Sequence, residues 1–269
     1  MNRSDVKREV SKMTERNKRR SSKNKKNRTE CIERDNSKDP QYSDGKHKLA
    51  APVVAKNAFQ KELFNAINTK QVIICNAPGG VGKSYCTMSV VADWYVSNKV
   101  GGIKLARPAV GMGNTLGLLK GGLREKYEPY LMPLIDVLCQ RYGRGVYETG
   151  LHNGNIELLP VEYLRGRSFN DVVIVDESQN LTPEECYSIL TRVGEYGKLI
   201  MIGDHTQNDL KGKSGIAWVE EFIEDHNLHE YAAVVKATSD DIVRSGFCKA
   251  VIKAKESQVD AKGDFHEEY

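Results

Sequence analysis

Six short runs of aliphatic and β-branched residues recur along this chain, and they constrain its fold more than any other feature. Polar residues do not alternate regularly through them, as they would in a strand with one solvated face. Continuous apolar runs of this length are typical of strands buried on both faces of a parallel sheet. The runs occupy residues 72–75, 102–106, 156–160, 172–176, 198–204 and 231–235.

Longer stretches with helical character follow five of these runs. They occupy residues 84–98, 123–142, 182–193, 216–226 and 239–255. In the third, Thr182 is a predicted N-cap, Pro183 takes the first helical position and Glu185 completes a capping box. Strand and helix in alternation predict an α/β domain with a mainly parallel, doubly wound sheet.

The nine residues NAPGGVGKS, at positions 76–84, leave the first strand run and open the first helix. They nearly match G-x-x-x-x-G-K-[ST], the loop that cradles phosphates with its backbone N–H groups. In this context Lys83 would reach the β- and γ-phosphates of a nucleotide, and the Ser84 hydroxyl would bind Mg²⁺. A glycine-rich turn without a ligand is the alternative, and the order of strand, loop and helix favours the phosphate site.

Alanine stands at the first position of this motif, where glycine is usual. The position needs only a small side chain, so one methyl group is compatible with the loop provided that φ of Ala77 stays negative. The sequence therefore predicts a nucleotide-binding segment that consists of Ala77, Pro78, Gly79, Gly80, Val81, Gly82, Lys83, Ser84 and Tyr85.

Two further polar groups follow buried strand runs. Asp176 and Glu177 come after VVIV, and Gln207 follows the run that ends at Gly203 and Asp204. Ligands of open α/β sheets bind at the carboxyl ends of the strands. We expect Asp176 to hold Mg²⁺ through water, Glu177 to act as the general base for the attacking water, and Gln207 to sense the γ-phosphate. An ordinary polar turn is the alternative for Gln207.

The first fifty residues carry sixteen Lys and Arg against eight Asp and Glu, so the rest of the chain is slightly acidic. Residues 1–48 are also poor in large apolar side chains, which predicts a disordered basic tail. Such a tail serves either as a nucleic-acid-binding arm or as a solvated segment that aids solubility, and both alternatives are open. Residues 257–269 read as a polar C-terminal tail.

Several function classes are disfavoured by the composition. No run approaches the roughly eighteen apolar residues that a membrane-spanning helix needs, and no signal-peptide pattern is present. The six cysteines lie far apart without metal-ligand spacing, so we expect reduced thiols. These features predict a cytoplasmic protein with no membrane partner.

Seven blocks, in order, resemble those of the PhoH-like family, and the likeness is nearest to the short versions that bacteriophages carry. The resemblance spans residues 51–256. The blocks are NAPGGVGKS, LARPAV, LREKYEPYLMPLIDVL, IELLPVEYLRGRSFNDVVIVDESQN, LTRVG, IGDHTQNDLKGKSGI and DIVRSGF. The resemblance implies an ATP-binding, RecA-like P-loop NTPase that is similar to the first motor domain of superfamily 1 helicases.

The resemblance also implies further site residues. Gln60 matches the glutamine that reads the adenine edge in helicase-like proteins, with a surface-helix glutamine as the alternative. Arg107 matches a segment that faces nucleic acid in helicases. Four other arginines are candidates for contact with phosphate, in the same subunit or from a neighbouring one: Arg165, Arg167, Arg192 and Arg244. Arg192 and Arg244 are the preferred catalytic candidates.

Residues 49–256 suffice for one motor domain, whereas a complete superfamily 1 motor has two. We therefore expect a homo-oligomer, with a ring as one possibility, and neither processive unwinding by a monomer nor nuclease activity. The favoured function is a Mg²⁺-dependent ATPase coupled to RNA or single-stranded DNA. An ATP-binding regulatory or structural module with negligible turnover is the alternative. A small-molecule kinase ranks third, because no segment supplies a lid or a second substrate pocket.

Overall fold

The structure, a computed structural model, describes residues 49–109, 123–210 and 212–263. The predicted basic tail, residues 1–48, and residues 264–269 lie outside this part. The strands are β1 (Val72–Asn76), β2 (Ile103–Arg107), β3 (Ile156–Pro160), β4 (Val172–Val175), β5 (Lys198–Gly203) and β6 (Ala232–Lys236). The helices are α1 (Ala58–Thr69), α2 (Lys83–Val96), α3 (Leu123–Tyr142), α4 (Arg144–His152), α5 (Pro183–Leu190), α6 (Gly215–Asp225) and α7 (Gly246–Gly263).

The six strands form one parallel sheet in the order β3-β2-β4-β5-β1-β6. All six predicted strands are confirmed, and each lies within one residue of its predicted bounds. One strand, β5, separates the strand of the glycine-rich loop from the strand that precedes Asp176. This is the order that the RecA-like prediction requires. Because the strands are parallel, the segments that follow β1, β4 and β5 all emerge at the same edge of the sheet.

Two apolar layers cover the sheet, because successive residues of each strand face opposite sides. On one side, Ile73 and Cys75 of β1 pack with side chains from α1, α2, α3 and α4. On the other side, Ile74 packs in a second cluster with side chains from α5 and α6. Each layer includes one tryptophan, Trp94 in the first and the partly buried Trp218 in the second. The chain is thus a three-layer α/β domain, as predicted.

A lysine and a tryptophan meet at the edge where the strands begin. The Lys198 amine donates to the carbonyl oxygens of Ile67, at 2.7 Å, and Lys70, at the end of α1. It also lies 5.5 Å from the centre of the Trp94 ring, which Lys99 covers at 4.6 Å. Lys198 therefore stabilises the C-terminal end of α1, where carbonyl groups lack helical partners.

The predicted helix 239–255 is wrong at both ends. Thr238 and Asp241 form a capping box, but it closes a single 3₁₀ turn, and the chain is extended at Ile242 before α7 begins at Gly246. The side chain of Ile242 is buried, and the next N–H donates to the Gly80 carbonyl at 3.1 Å. This contact holds the segment against the glycine-rich loop and prevents it from continuing as a helix. α7 then runs to Gly263, so residues 257–263 of the predicted polar tail are helical.

Helix α4 was not predicted. It has nine residues and begins directly after Gly143, whose φ is +84°. Tyr147 and Gly150 are its buried positions, too few to produce a clear apolar period in the sequence. In the part of the chain that the structure describes, no helix is both long and apolar enough to span a bilayer.

Candidate functional site

The glycine-rich loop connects β1 to α2 in the way that the sequence predicted. Gly80 and Gly82 have φ values of +87° and +97°, a region that is costly for other residues. Ala77 is buried, its N–H donates to the Gly203 carbonyl at 3.0 Å, and its φ is not positive. The alanine in place of the first glycine is therefore compatible with the backbone of the loop, as expected.

The Lys83 side chain folds back over this loop. Its amine donates to the carbonyl oxygens of Ala77 and Pro78, the latter at 3.0 Å. Burial lowers the pKa of the Lys83 amine, and nearby acidic groups, which include Cys75 and Asp204, oppose this shift. The amine is thus held among the loop's carbonyl groups, where a phosphate group would be its natural counter-charge.

Asp176 directly follows β4. This strand pairs with β5, which in turn pairs with β1, the strand that leads into the loop. The Asp176 side chain is buried, and its N–H donates to the Ala106 carbonyl at 2.9 Å. The pKa of the Asp176 carboxyl is raised to about 6, chiefly by burial and also by the adjacent Glu177 charge, while Arg107 and Lys83 oppose the shift. A buried carboxylate with so little compensation favours a cation as its partner.

Glu177 has a left-handed backbone, with φ +54° and ψ +41°, which is uncommon for a residue with a side chain. Its two carboxylate oxygens have different partners. Oε2 accepts a hydrogen bond from Gln179 Nε2 at 2.6 Å, and Oε1 lies 3.7 Å from Arg107 Nη2. Ser178, the next residue, is fully buried, and its hydroxyl donates to the Val175 carbonyl at 2.8 Å.

An amide and a carboxylate connect the ends of β4 and β5. Gln179 Oε1 accepts the N–H of Asp204 at 3.1 Å, while its Nε2 donates to Glu177. Asp204 in turn accepts a 2.6 Å hydrogen bond from Gln207 Nε2. That same Nε2 lies 4.0 Å from the place where a Cβ on Gly79 would be. Hydrogen bonds therefore run without a break from Glu177 to Gln207, beside the glycine-rich loop.

Gln60 is 4% exposed, so the alternative of a surface-helix glutamine is wrong. Its Nε2 donates to the Val81 carbonyl at 2.9 Å, and its Oε1 accepts the Lys56 N–H at 2.9 Å. The side chain packs so closely on the loop that a Cβ at Gly82 would lie 2.9 Å from its amide nitrogen. Nε2 has a second hydrogen to donate and Oε1 a second lone pair to accept with, and a ligand could use both.

A cavity of about 630 Å³ adjoins this glutamine and the loop. Its lining combines apolar, amide and cationic side chains: Ala50, Ala51, Pro52, Val53, Val54, Lys56, Gln60, Gly82, Tyr85, Gln140, Arg141 and Val243. Its size and its mixed lining fit a small organic ligand. Because Gly82 lies in the cavity wall, such a ligand would also contact the glycine-rich loop.

Three residues that sequence reasoning missed hold one wall of this cavity in place. Asp93 accepts hydrogen bonds from Arg141, at 2.6 and 2.9 Å, and from Tyr142 Oη at 2.7 Å. Arg141 also donates to the Ala51 carbonyl at 3.2 Å, and Tyr142 Oη accepts the Ala50 N–H at 3.3 Å. The segment before α1 is thereby fastened to α2 and α3. No sequence signal links these positions, which lie about fifty or ninety residues apart.

The arginine candidates fall in different places. Arg244 packs against the loop, since a Cβ on Gly80 would lie 3.2 Å from Arg244 Cδ. Arg107 contacts Glu177, whereas Arg165 pairs with Glu185 at 2.7 Å and Arg167 is exposed. The structure therefore brings two of these arginines to the loop and its carboxylates.

Arg192 lies elsewhere. It follows α5, and its carbonyl accepts the Phe169 N–H at 3.0 Å, near the edge where β4 and β5 begin. Its Nε is buried and has no hydrogen-bond partner among the described residues. The opposite edge of the sheet carries the glycine-rich loop, so Arg192 cannot serve the loop of its own chain. Its action on a neighbouring subunit stays a prediction.

A family model with the description "PhoH-like protein" matches residues 52–256. The chain is 34% identical over 207 residues to Protein PhoH of Escherichia coli strain K12, covering 76% of this chain and 58% of that protein. It is 35% identical over 206 residues to the PhoH-like protein of Bacillus subtilis strain 168, covering 76% and 64% respectively. The chain thus spans less than two thirds of the length of these two relatives. Superposition on the HK97 bacteriophage large terminase gives a TM-score of 0.43 at 14% identity, covering 71% of this chain and 41% of that one.

Proposed function

The chain belongs to the PhoH-like family, and from this premise we propose that it is a Mg²⁺-dependent ATPase whose turnover is coupled to RNA or single-stranded DNA. One observation carries the proposal. The ends of β1, β4 and β5 place a phosphate loop with its lysine, a buried carboxylate, a second carboxylate and a glutamine amide at one edge of the sheet. A site that only holds a nucleotide needs neither Glu177 nor Gln207.

The nucleotide would lie across the loop and the adjoining cavity. The β- and γ-phosphates would bind the backbone N–H groups of residues 79–84 and the Lys83 amine. The base would enter the cavity beside Gln60 and Tyr85, a wall residue that is 44% exposed. The two unused bonding directions of the Gln60 amide suit the adjacent donor and acceptor on the edge of adenine.

The residues present fit a magnesium ion. Ser84 is the second residue of α2, and Asp176 supplies a buried carboxylate, so both offer the oxygen ligands that Mg²⁺ prefers. No cluster of three or more His, Cys, Asp or Glu side chains that could hold a metal occurs among the described residues. This agrees with an ion that takes most of its ligands from phosphate and water. When bound, Mg²⁺ neutralises charge that develops on the phosphate oxygens.

In the proposed reaction, the oxygen of a water molecule bonds to the γ-phosphorus as the bond to the β-phosphate oxygen breaks, which yields ADP and phosphate. Glu177 accepts the proton that the water loses. Lys83 and Arg244 stabilise charge on the phosphoryl group, and Gln207 reports its presence to Asp204 and Gln179 through their hydrogen bonds.

We also propose a homo-oligomer that acts in the cytoplasm. A motor domain of this kind needs a further surface that closes over the nucleotide, and in the proposed oligomer a neighbouring subunit would supply it. The five cysteines that the structure describes are unpaired thiols, which suits a reducing compartment.

The experiment is a measurement of ATP binding and of phosphate release by the full chain, with and without Mg²⁺, oligouridylate and oligothymidylate. Glu177→Gln is expected to bind ATP normally and to hydrolyse it at least about a hundredfold more slowly, as for loss of a general base. Glu221→Gln, at an exposed glutamate on α6, is the matched control and should behave as wild type. ATP binding without turnover in the wild type would instead establish the non-hydrolysing module.

A further inference from the structure

The carboxylate on which hydrolysis depends is restrained by a cation. Arg107 is the last residue of β2 and Glu177 follows β4, and these are neighbouring strands. Arg107 Nη2 lies 3.7 Å from Glu177 Oε1, and the other carboxylate oxygen accepts the Gln179 amide at 2.6 Å. Both oxygens are therefore engaged while the backbone of Glu177 is in the left-handed region. This arrangement holds the carboxylate in one orientation.

Arg107 is itself positioned from its other side. Its Nη1 donates to the Tyr130 carbonyl at 3.1 Å, and the guanidinium carbon lies 5.9 Å from the centre of the Tyr130 ring. The Arg107 side chain is 26% exposed. A guanidinium has five N–H donors, so these contacts leave donors available for an incoming anion. Arg107 thus has one side toward Glu177 and a partly open side toward solvent.

The Tyr130 ring lies beside the Arg107 guanidinium, so the surroundings of Arg107 are aromatic as well as charged. The hydroxyl of the buried Tyr127 has Glu162, Tyr163 and Tyr130 as its electrostatic neighbours, and burial raises its pKa to about 12. Tyr163 is 57% exposed. A tyrosine ring beside a guanidinium is the kind of surface on which single-stranded nucleic acid stacks a base while its phosphates bind the cation.

We propose that Arg107 is a gate on Glu177 that a backbone phosphate of single-stranded nucleic acid opens. Without nucleic acid, the ion pair holds the Glu177 carboxylate in a resting orientation. A phosphate that binds the guanidinium in a bidentate manner replaces the carboxylate as its partner and frees Glu177 to accept the proton of the attacking water. Arg107 acts through Glu177 and is thus a positioning residue. The inference rests on the proposed function, since it explains how nucleic acid would control the same site.

The relative strength of the two contacts allows this exchange. At 3.7 Å the pair with Glu177 is longer than a direct hydrogen bond, and partly exposed ion pairs of this kind are weak. Bidentate contacts between arginine and phosphate are among the stronger charge-assisted hydrogen bonds. Nucleic acid therefore favours the state in which Arg107 binds phosphate over the state in which it pairs with Glu177, as any ligand that shifts an equilibrium must.

The test compares ATP turnover of the full-length wild type with Arg107→Gln and Arg107→Ala, with and without oligouridylate or oligothymidylate. Loss of the cation should raise turnover without nucleic acid by about two- to fivefold, the factor expected for a weak ion pair. It should also remove most of the stimulation by nucleic acid. Adding Glu177→Gln to either variant should abolish the gain. Inorganic phosphate in place of the oligonucleotide shows whether the phosphate group suffices without the bases.

Arg144→Ala is the control, because Arg144 Nη2 also lies 3.7 Å from a glutamate oxygen, that of Glu128, and Arg144 Nε pairs with Glu148 at 2.9 Å. It should leave both rates unchanged. Binding of an ATP analogue and thermal melting confirm that each Arg107 variant is folded, and Arg107→Gln keeps a donor for the Tyr130 carbonyl. Lower or unchanged turnover in folded Arg107 variants, with stimulation retained, overturns the gate. A wild type without turnover under any condition, together with equally inactive Arg107 variants, overturns the proposed function itself.

Discussion

Arg244 packs its aliphatic stem directly against Gly80 of the phosphate loop. A Cβ on Gly80 would lie 3.2 Å from Arg244 Cδ and 3.3 Å from its Cγ. The preceding N–H, that of Val243, donates to the Gly80 carbonyl at 3.1 Å. The conformation of the loop and the position of this arginine are therefore coupled within one chain.

We expect Gly80→Ala to lower the unfolding free energy by more than about 1 kcal/mol, because alanine is strained at a φ of +87°. It should also lower ATP turnover by displacing Arg244. Gly166→Ala is the control, since Gly166 has a φ of +78° but nothing within 4 Å of its added Cβ. Urea denaturation and phosphate release measure the two effects. Wild-type turnover in a folded Gly80→Ala protein would argue against a catalytic role for Arg244.

Lys83→Ala should weaken ATP binding by at least about tenfold, because it removes a charge-assisted contact to the phosphates. The fold should persist, since Lys83 contacts only loop carbonyls that water can satisfy. Titration calorimetry with ATP and Mg²⁺ measures the change. Lys61→Ala, at an exposed position of α1, provides the comparison. Unchanged affinity in Lys83→Ala would remove the loop from the nucleotide site.

The stability of the protein should depend on pH through Lys198. Burial, together with the nearby charge of Lys99, lowers the pKa of this amine from 10.5 to about 8. The native state thus binds the proton less tightly than the unfolded state, so this group's contribution to the unfolding free energy rises as pH increases from about 8 to about 10.5.

Lys198→Met should lack this rise. The difference in unfolding free energy between wild type and variant, measured by urea denaturation across that pH range, should therefore move in favour of the wild type as pH increases. Parallel curves for the two proteins would mean that Lys198 titrates as an ordinary exposed lysine.

If Arg192 acts on a neighbouring subunit, the edge of the sheet where the strands begin must lie against the glycine-rich loop of that neighbour. Such an interface is head-to-tail, and its repetition produces a closed ring or an open filament, depending on the rotation between subunits. Arg192→Ala and Glu177→Gln should each be inactive alone, whereas mixed oligomers should regain part of the wild-type turnover, because some interfaces then combine an intact arginine with an intact glutamate. Light scattering follows assembly. No recovery in demonstrably mixed oligomers would remove Arg192 from the site.

The sheet could be predicted because its central strands are buried on both faces and most residues of its strands are aliphatic. Lys198 to Gly203 is an example, since five of its six residues are buried. The turn at Thr238 misled the prediction for a physical reason. A capping box satisfies the first N–H groups of a 3₁₀ turn as well as those of a helix, and the tertiary contact of Val243 with Gly80 decides that the chain leaves the turn extended.

In the site, the sequence indicated which side chains come after the strands but not how they pair. Asp176 and Glu177 could be placed at a strand end because parallel strands deliver their carboxyl ends to one edge. The hydrogen bond between Gln179 and Asp204, and the ion pair of Arg107 with Glu177, join positions that lie 25 and 70 residues apart. Such pairs depend on side-chain rotamers and on strand order, which local patterns do not encode.

The two tryptophans of the chain, Trp94 and Trp218, belong to opposite layers of the sheet. Intrinsic fluorescence is therefore the sum of two spatially separate signals. Trp94 emits from between the two lysine amines that cover its ring, and Trp218 from a stack with Phe222, 4.9 Å between ring centres. Replacing either by phenylalanine leaves a single tryptophan, which, under excitation that selects tryptophan over the tyrosines, reports on one layer alone as the protein unfolds.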